Sequence, residues 1–178
     1  MLENELGPKG YVVISDKDGN VIREGHNMVL LNGKKIIASN LFNSNMGFFN
    51  TPNTEDNLSN YKITHIAIYS NADETIFDGS YKIDNDQNNT ADKNKIKEFE
   101  LDKNNTVMET VENSNGHFYI KISVSYKGES QATVPTANSI GLIATADRKE
   151  KIMFSRIRFD SVVLTTETEF NISYYLYF

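Results

Sequence analysis

The sequence contains no cysteine and no tryptophan. Without thiols there is no disulfide framework, no thiolate nucleophile and no cysteine metal site, which fits synthesis in a reducing cytoplasm. Proline occurs only three times, as Pro8, Pro52 and Pro135, each in a stretch that reads as arm or loop. No apolar run approaches the length of a membrane helix, and no basic segment followed by an apolar one opens the chain. The expectation is a soluble protein with no membrane partner. Positive charge is also short: 18 Lys and Arg against 24 Asp and Glu leave a net charge of −6. That balance argues against general binding to nucleic acid. With 178 residues and 39% apolar content, the chain suits one core of ordinary size. We read residues 1–9 as an arm and 10–178 as one domain.

What the sequence does contain is alternation. In residues 170–178, Phe170, Ile172, Tyr174, Leu176 and Phe178 fall on one side of an extended chain, because strand side chains alternate faces. Asn171, Ser173, Tyr175 and Tyr177 fall on the other. The first set marks a core-facing strand. The second set is aromatic at Tyr175 and Tyr177, where a plain surface strand would be polar, so this outer face is expected to be covered near its end. Residues 117–127 alternate as cleanly, with Phe118, Ile120, Ile122, Val124 and Tyr126 inward. Tyr119, Lys121, Ser123 and Ser125 then face water or a wet interface.

Other strands are expected at 11–15, 21–24, 28–31, 61–70, 77–83, 96–101, 106–112, 139–145 and 152–159. The first two flank Asp16-Lys17-Asp18-Gly19-Asn20 as a hairpin. Gly25-His26-Asn27 reads as a break after it, and Asp102-Lys103-Asn104-Asn105 as a second hairpin turn. In 61–70, Ile63, His65, Ala67 and Tyr69 share one face, with Ile66 and Ile68 on the other. In 152–159, Met153, Ile157 and Phe159 point inward, with Arg156 and Arg158 outward. One short helix is expected near residues 34–42, capped by Asn32 and Gly33, because Ile37 and Leu41, and Ala38 and Phe42, lie four apart. It is too short to stand alone and should pack on the sheet. Residues 43–60 and 84–94 read as irregular surface excursions. Many strands, one helix and no βαβ rhythm point to a mainly β fold, an antiparallel β-sandwich or flattened barrel.

No catalytic constellation emerges. The Asp16/Asp18/Asn20 spacing resembles the start of a calcium loop, but Val21 stands where that loop needs glycine and Asn27 where it needs glutamate. His26, His65 and His117 lack metal-site spacing. There is no G-x-S-x-G and no phosphate-binding glycine loop. Glu98/Glu100 and Glu167/Glu169 read as solvated strand edges that discourage aggregation. Arg156 and Arg158 are placed to neutralise Glu167 or Glu169 across a strand pair, or to reach a neighbouring subunit. No catalytic residue, cofactor or metal is therefore assigned. The interface candidates are Met46, Phe48 and Phe49 in the irregular loop, Tyr175 and Tyr177, and Arg156 and Arg158. Aromatic groups of this kind favour contact surfaces.

The order of segments resembles a known family. A hairpin leads into Gly25-His26-Asn27-Met28-Val29-Leu30-Leu31-Asn32-Gly33. Then come Lys34-Lys35-Ile36-Ile37-Ala38-Ser39-Asn40-Leu41-Phe42 and Ile63-Thr64-His65-Ile66-Ala67-Ile68. This is similar to small structural proteins of tailed bacteriophages, found among tail, baseplate and neck or collar components. The likeness covers about the first seventy residues. It departs at Tyr69 and Ser70, where the pattern has a glycine. It implies a non-enzymatic virion building block, made in the host cytoplasm and partnered by copies of itself and by other virion proteins. The alternative is a carbohydrate-binding or host-attachment module on the same kind of sandwich, with a glycan as ligand.

Overall fold

The computed structural model describes residues 9–29, 33, 36–37, 40, 60–70, 95–110, 118–130, 133–146 and 151–177. Nine strands run through them: β1 (Lys9–Ser15), β2 (Val21–Val29), β3 (Lys62–Tyr69), β4 (Lys95–Glu100), β5 (Thr106–Thr110), β6 (Phe118–Lys127), β7 (Thr136–Thr145), β8 (Ile152–Val163) and β9 (Glu169–Tyr177). Every pairing is antiparallel. The strands lie in the order β4-β3-β7-β8-β2-β1-β9-β6-β5. They divide into a front sheet, β2-β1-β9-β6-β5, and a back sheet, β4-β3-β7-β8. Strand β2 belongs to both. Its first part pairs with β1, while Met28 and Val29 pair with Arg156 and Ser155 of β8. The architecture is the expected mainly β sandwich, not a closed barrel.

The core lies between the sheets. Phe170, Ile172, Tyr174 and Leu176 of β9 are all at most 3% exposed, and β9 sits in the middle of the front sheet between β1 and β6. Burying each such side chain is worth about 1.5–3 kcal/mol. Opposite them lie Ile66, Ile68, Ile140, Leu142 and Ile157 of the back sheet. The β1–β2 hairpin closes as the turn chemistry dictates. The Asp16 carboxylate accepts from the backbone N–H groups of Asp18 and Asn20 at 2.9 and 2.8 Å, and from Asn20 Nδ2 at 2.8 Å. Gly19 takes φ +89°, a conformation costly to residues with a Cβ. The bonds from Asn20 and Asp18 hold the Asp16 carboxyl below its ordinary value.

Several expectations need correction. Gly25-His26-Asn27 is not a break: β2 runs straight through it. A Cβ at Gly25 would lie 3.2 Å from Ile157 Cδ1, so a small residue lets the strand pass close to β8 as it changes sheets. The turn at 102–105 does not close a hairpin either. β4 pairs with β3 and β5 with β6, so this turn carries the chain from the back sheet to the front. Asn105 Nδ2 donates to Glu100 O at 2.9 Å, Leu101 N to Thr64 O at 2.8 Å and Ser123 N to Asn105 O at 2.7 Å, which fastens the crossing to both sheets.

Two β-bulges also reassign faces. Ile63 pairs with Ala144 and His65 with Ile143, leaving Thr64 as the extra residue. Ser155 pairs with Leu142 and Met153 with Ile143, leaving Phe154 extra. One extra residue flips every side chain beyond it. Ile63 thus joins the main core, and Met153 joins Ala67, Tyr69 and Ile143 in a second buried cluster on the outer face of the back sheet.

Gly33, Ile36, Ile37 and Asn40 are helical, within and just before the expected helix at 34–42; its other residues lie outside the described ones. Gly33 is part of the helix and not a cap before it. A Cβ there would lie 2.3 Å from the Phe154 carbonyl oxygen, and Ile36 is 4% exposed in the main core. The helix therefore does pack on the sheet. Residues 1–8, the expected strand at 77–83, the excursion at 84–94 and His117 also lie outside the described residues.

Candidate functional site

On the outer face of the front sheet, strand register aligns side chains from segments far apart in sequence. His26 is paired with Tyr11, Tyr11 with Tyr175, Tyr175 with Lys121 and Lys121 with Val107. This row crosses all five strands. The row beside it runs Lys9, Tyr177, Tyr119, Glu109. Side chains directly opposite on neighbouring strands are close enough to touch, and those diagonal to them are within aromatic reach.

Four tyrosines therefore meet. Ring centroids are 6.4 Å apart for Tyr11–Tyr175, 5.5 Å for Tyr119–Tyr175, 5.4 Å for Tyr119–Tyr177 and 6.3 Å for Tyr175–Tyr177. His26 extends the group at 5.2 Å from Tyr11, and the Lys121 ammonium lies 5.8 Å from the Tyr175 ring centre. These are the separations at which aromatic pairs and cation–π pairs attract. Tyr177 and His26 are exposed, while Tyr11, Tyr119 and Tyr175 are half-buried.

The phenols at the two sides of the group are tethered. Tyr11 donates its hydroxyl hydrogen to Glu24 and Tyr119 donates to Glu109. A phenol that donates to a carboxylate resists ionisation. The Glu109 bond, desolvation and the carboxylate's charge push Tyr119 up to about 12, and the same causes from Glu24 raise Tyr11. Beyond the tyrosines the face turns small and polar: Ser173, Ser123, Ser125 and Asn171, with Ser125 Oγ donating to Asn171 Oδ1 at 2.7 Å. Tyr, Ser and Asn together are the composition of adaptable contact surfaces.

Of the sequence candidates, Tyr175 and Tyr177 stand in this group. Tyr11, Tyr119, His26 and Lys121 complete it; the sequence shows the outward parity of Tyr119 and Lys121 but does not bring the four together. Met46, Phe48 and Phe49 lie outside the described residues. Arg156 points to the outer face of the back sheet but is only 7% exposed. Its Nε and Nη2 donate to Ser139 Oγ at 3.1 and 2.8 Å, and its guanidinium lies 4.8 Å from the Tyr69 ring centre. Arg158 is exposed. The expected adjacency to Glu167 and Glu169 fails, because β8 is bonded to β7 and β2 and not to β9.

Glu98 is no solvated edge residue. Its side chain is 16% exposed and bonded by Lys95 and Lys151, with His65 Nε2 at 3.3 Å. Burial alone would raise its carboxyl, but the bonds from Lys151 and Lys95 and the charges of Lys95 and His65 outweigh it and hold it below the usual value. Thr64 Oγ1 lies 2.8 Å from His65 Nδ1, so hydroxyl, imidazole and carboxylate do line up. The hydroxyl is shared with Thr145 Oγ1 at 2.9 Å and the carboxylate is occupied by two lysines, which is the arrangement of a packed polar network. Among the described residues no group of three or more His, Cys, Asp or Glu is placed to hold a metal ion.

A cavity of about 400 Å³ opens between the sheets beneath the 102–105 turn, walled by Ile63, Leu101, Ile120, Leu142 and Leu176. No family model, curated protein or solved structure matches this chain.

Proposed function

We propose that this chain is a non-enzymatic structural protein of a tailed-phage virion, assembled with copies of itself and with other virion subunits into a tail, neck or collar, or baseplate element. The observation that carries the reading is the tyrosine group on the front sheet. Tyrosine supplies large contact area with few rotatable bonds and is enriched where proteins meet. Here four of them are held in place by one another, by Glu24 and by Glu109. Such a face works by contact and needs no bond-making chemistry. The segment order of the first seventy residues adds the virion context.

The test is location and mass. Antibody labelling of purified virions is expected to place the chain in the tail or neck. Light scattering of the purified protein is expected to give assemblies above monomer mass. Tyr175→Ser with Tyr177→Ser should reduce the higher assemblies and leave the circular dichroism of the sandwich unchanged.

A second reading is favoured by one observation. The tethered phenols, Glu24, Glu109 and Lys121 set hydroxyl, carboxylate and ammonium groups beside aromatic rings, a mixture that also suits the alternating apolar and hydroxyl surfaces of a sugar. A monomer that binds glycans through Tyr175 and Tyr177 would establish that reading and displace the first.

A further inference from the structure

Among the described residues the strand order ends at β4 on one side and β5 on the other, and these two margins differ in composition. β4 reads Lys-Ile-Lys-Glu-Phe-Glu, with charges at Lys95, Lys97, Glu98 and Glu100. β5 reads Thr-Val-Met-Glu-Thr, with Glu109 its only charge. Met108 is 68% exposed and Val107 47%, while no other large apolar residue of a margin strand is comparably open. An edge strand offers unpaired backbone to any passing chain, and natural sheets block this with charge. β4 carries that block and β5 does not.

The backbone of β5 is arranged for pairing. Ser123 N donates to Asn105 O at 2.7 Å. Continuing that register puts Val107 and Glu109 in hydrogen-bonded pairs with Lys121 and Tyr119, because such pairs alternate along an antiparallel ladder. The N–H and C=O of Met108, the C=O of Thr106 and the N–H of Thr110 therefore point away from β6. The N–H of Thr106 is already taken by Asp102 O at 3.0 Å.

Building on the assembly reading above, we propose that β5 pairs antiparallel with β5 of a second copy of this chain, across a two-fold axis at Met108. The two Met108 residues then exchange both of their outward bonds. Each Thr110 N–H meets the Thr106 C=O of the partner subunit. Val107 opposes the partner subunit's Glu109, so no carboxylate faces a carboxylate. Lys121, in the same row as Val107, lies toward that glutamate and supplies the opposite charge. The two front sheets become one, with both tyrosine groups on the same side, free for a different contact.

The absence of cysteine makes the test direct. A hydrogen-bonded antiparallel pair has Cα atoms about 5.5 Å apart, within disulfide range. Mild oxidation of Met108→Cys is expected to give a covalent dimer, whereas Lys97→Cys on β4 keeps the dimer and forms no cross-link between its subunits. Met108→Pro removes an N–H that points away from β6 and should abolish the dimer seen by light scattering. Met108→Lys should do the same by placing two ammonium groups together. A wild-type protein that is monomeric at micromolar concentration, or a dimer that survives both substitutions, overturns the pairing. Tyr175→Ser should leave this dimer intact. A chain found in virions but lacking the β5 dimer sinks the pairing alone. A β5 dimer of a chain absent from virions sinks the virion reading alone.

Discussion

Ser155 Oγ and the Tyr174 phenol oxygen lie 2.6 Å apart, on facing sheets, and both residues are fully buried. This bond crosses the middle of the core, where an unsatisfied hydroxyl has no water to turn to. Tyr174→Phe is expected to cost about 1–3 kcal/mol, because the Ser155 hydroxyl loses this partner. Ser155→Ala removes the same bond from its other end and should also lower stability. The double substitution should cost less than the two summed, since it removes both ends of one bond. Denaturant midpoints of the four proteins measure this directly.

Glu98 governs part of the acid limb of stability. Its carboxyl is held below the ordinary value of 4.5 in the folded chain, so folding favours the ionised form. That contribution is fully present above the ordinary value and is lost as pH falls through the lower folded one. Urea midpoints of the wild type should therefore decline on acidification below about pH 5. Glu98→Gln should be less stable near neutrality and decline less steeply. An equally steep decline in the variant would show that other carboxylates carry the acid limb.

Tyr119 should resist ionisation in the folded protein. It is pushed up to about 12 by Glu109, from an ordinary 10.0, so its phenolate appears late in an absorbance titration. Glu109→Gln should move that ionisation back toward the ordinary range. The sign for stability follows: folding favours the neutral phenol, and this contribution is present below the ordinary value and lost as pH rises through the folded one.

Gly33 lets the helix approach the sheet closely at Phe154. Gly33→Ala puts a methyl group 2.3 Å from the Phe154 carbonyl oxygen, so the helix must shift off β8. The expected loss is about 1–3 kcal/mol, or about 2–4 °C of Tm for each kcal/mol in a chain of this size. Gly19→Ala meets open space and should be strained only by its φ of +89°. A Gly33→Ala protein as stable as the wild type would mean that the helix rides loosely on the sheet.

Much of this was legible in the sequence, and the exceptions share a cause. Clean alternation marked β6 and β9 correctly, and Asp16 with Gly19 marked the first turn, because these signals are local. Ile63 and Met153 were assigned to the wrong faces because a bulge is set by the partner strand: Thr64 and Phe154 look ordinary until β7 is placed beside them. The 102–105 turn has good hairpin chemistry, yet its flanking strands part company, since β3 and β6 offer each of them a better surface. The tyrosine group was half visible. Tyr175 and Tyr177 stand out as aromatics on an outer face, but Tyr11 and Tyr119 join them only through the register of strands far apart in the chain.

The sharing of β2 between the sheets has a mechanical consequence. Along that margin the backbone ladder is unbroken from one leaf to the other, so it acts as the spine of a book. Along the opposite margin, among the described residues, the leaves are clasped by the crossing turn between β4 and β5. Local opening is therefore expected to begin on the β4 side and not at the spine. Amide hydrogens of β4, which pairs on one side with β3, should exchange with solvent deuterium well before those of Met28 and Val29.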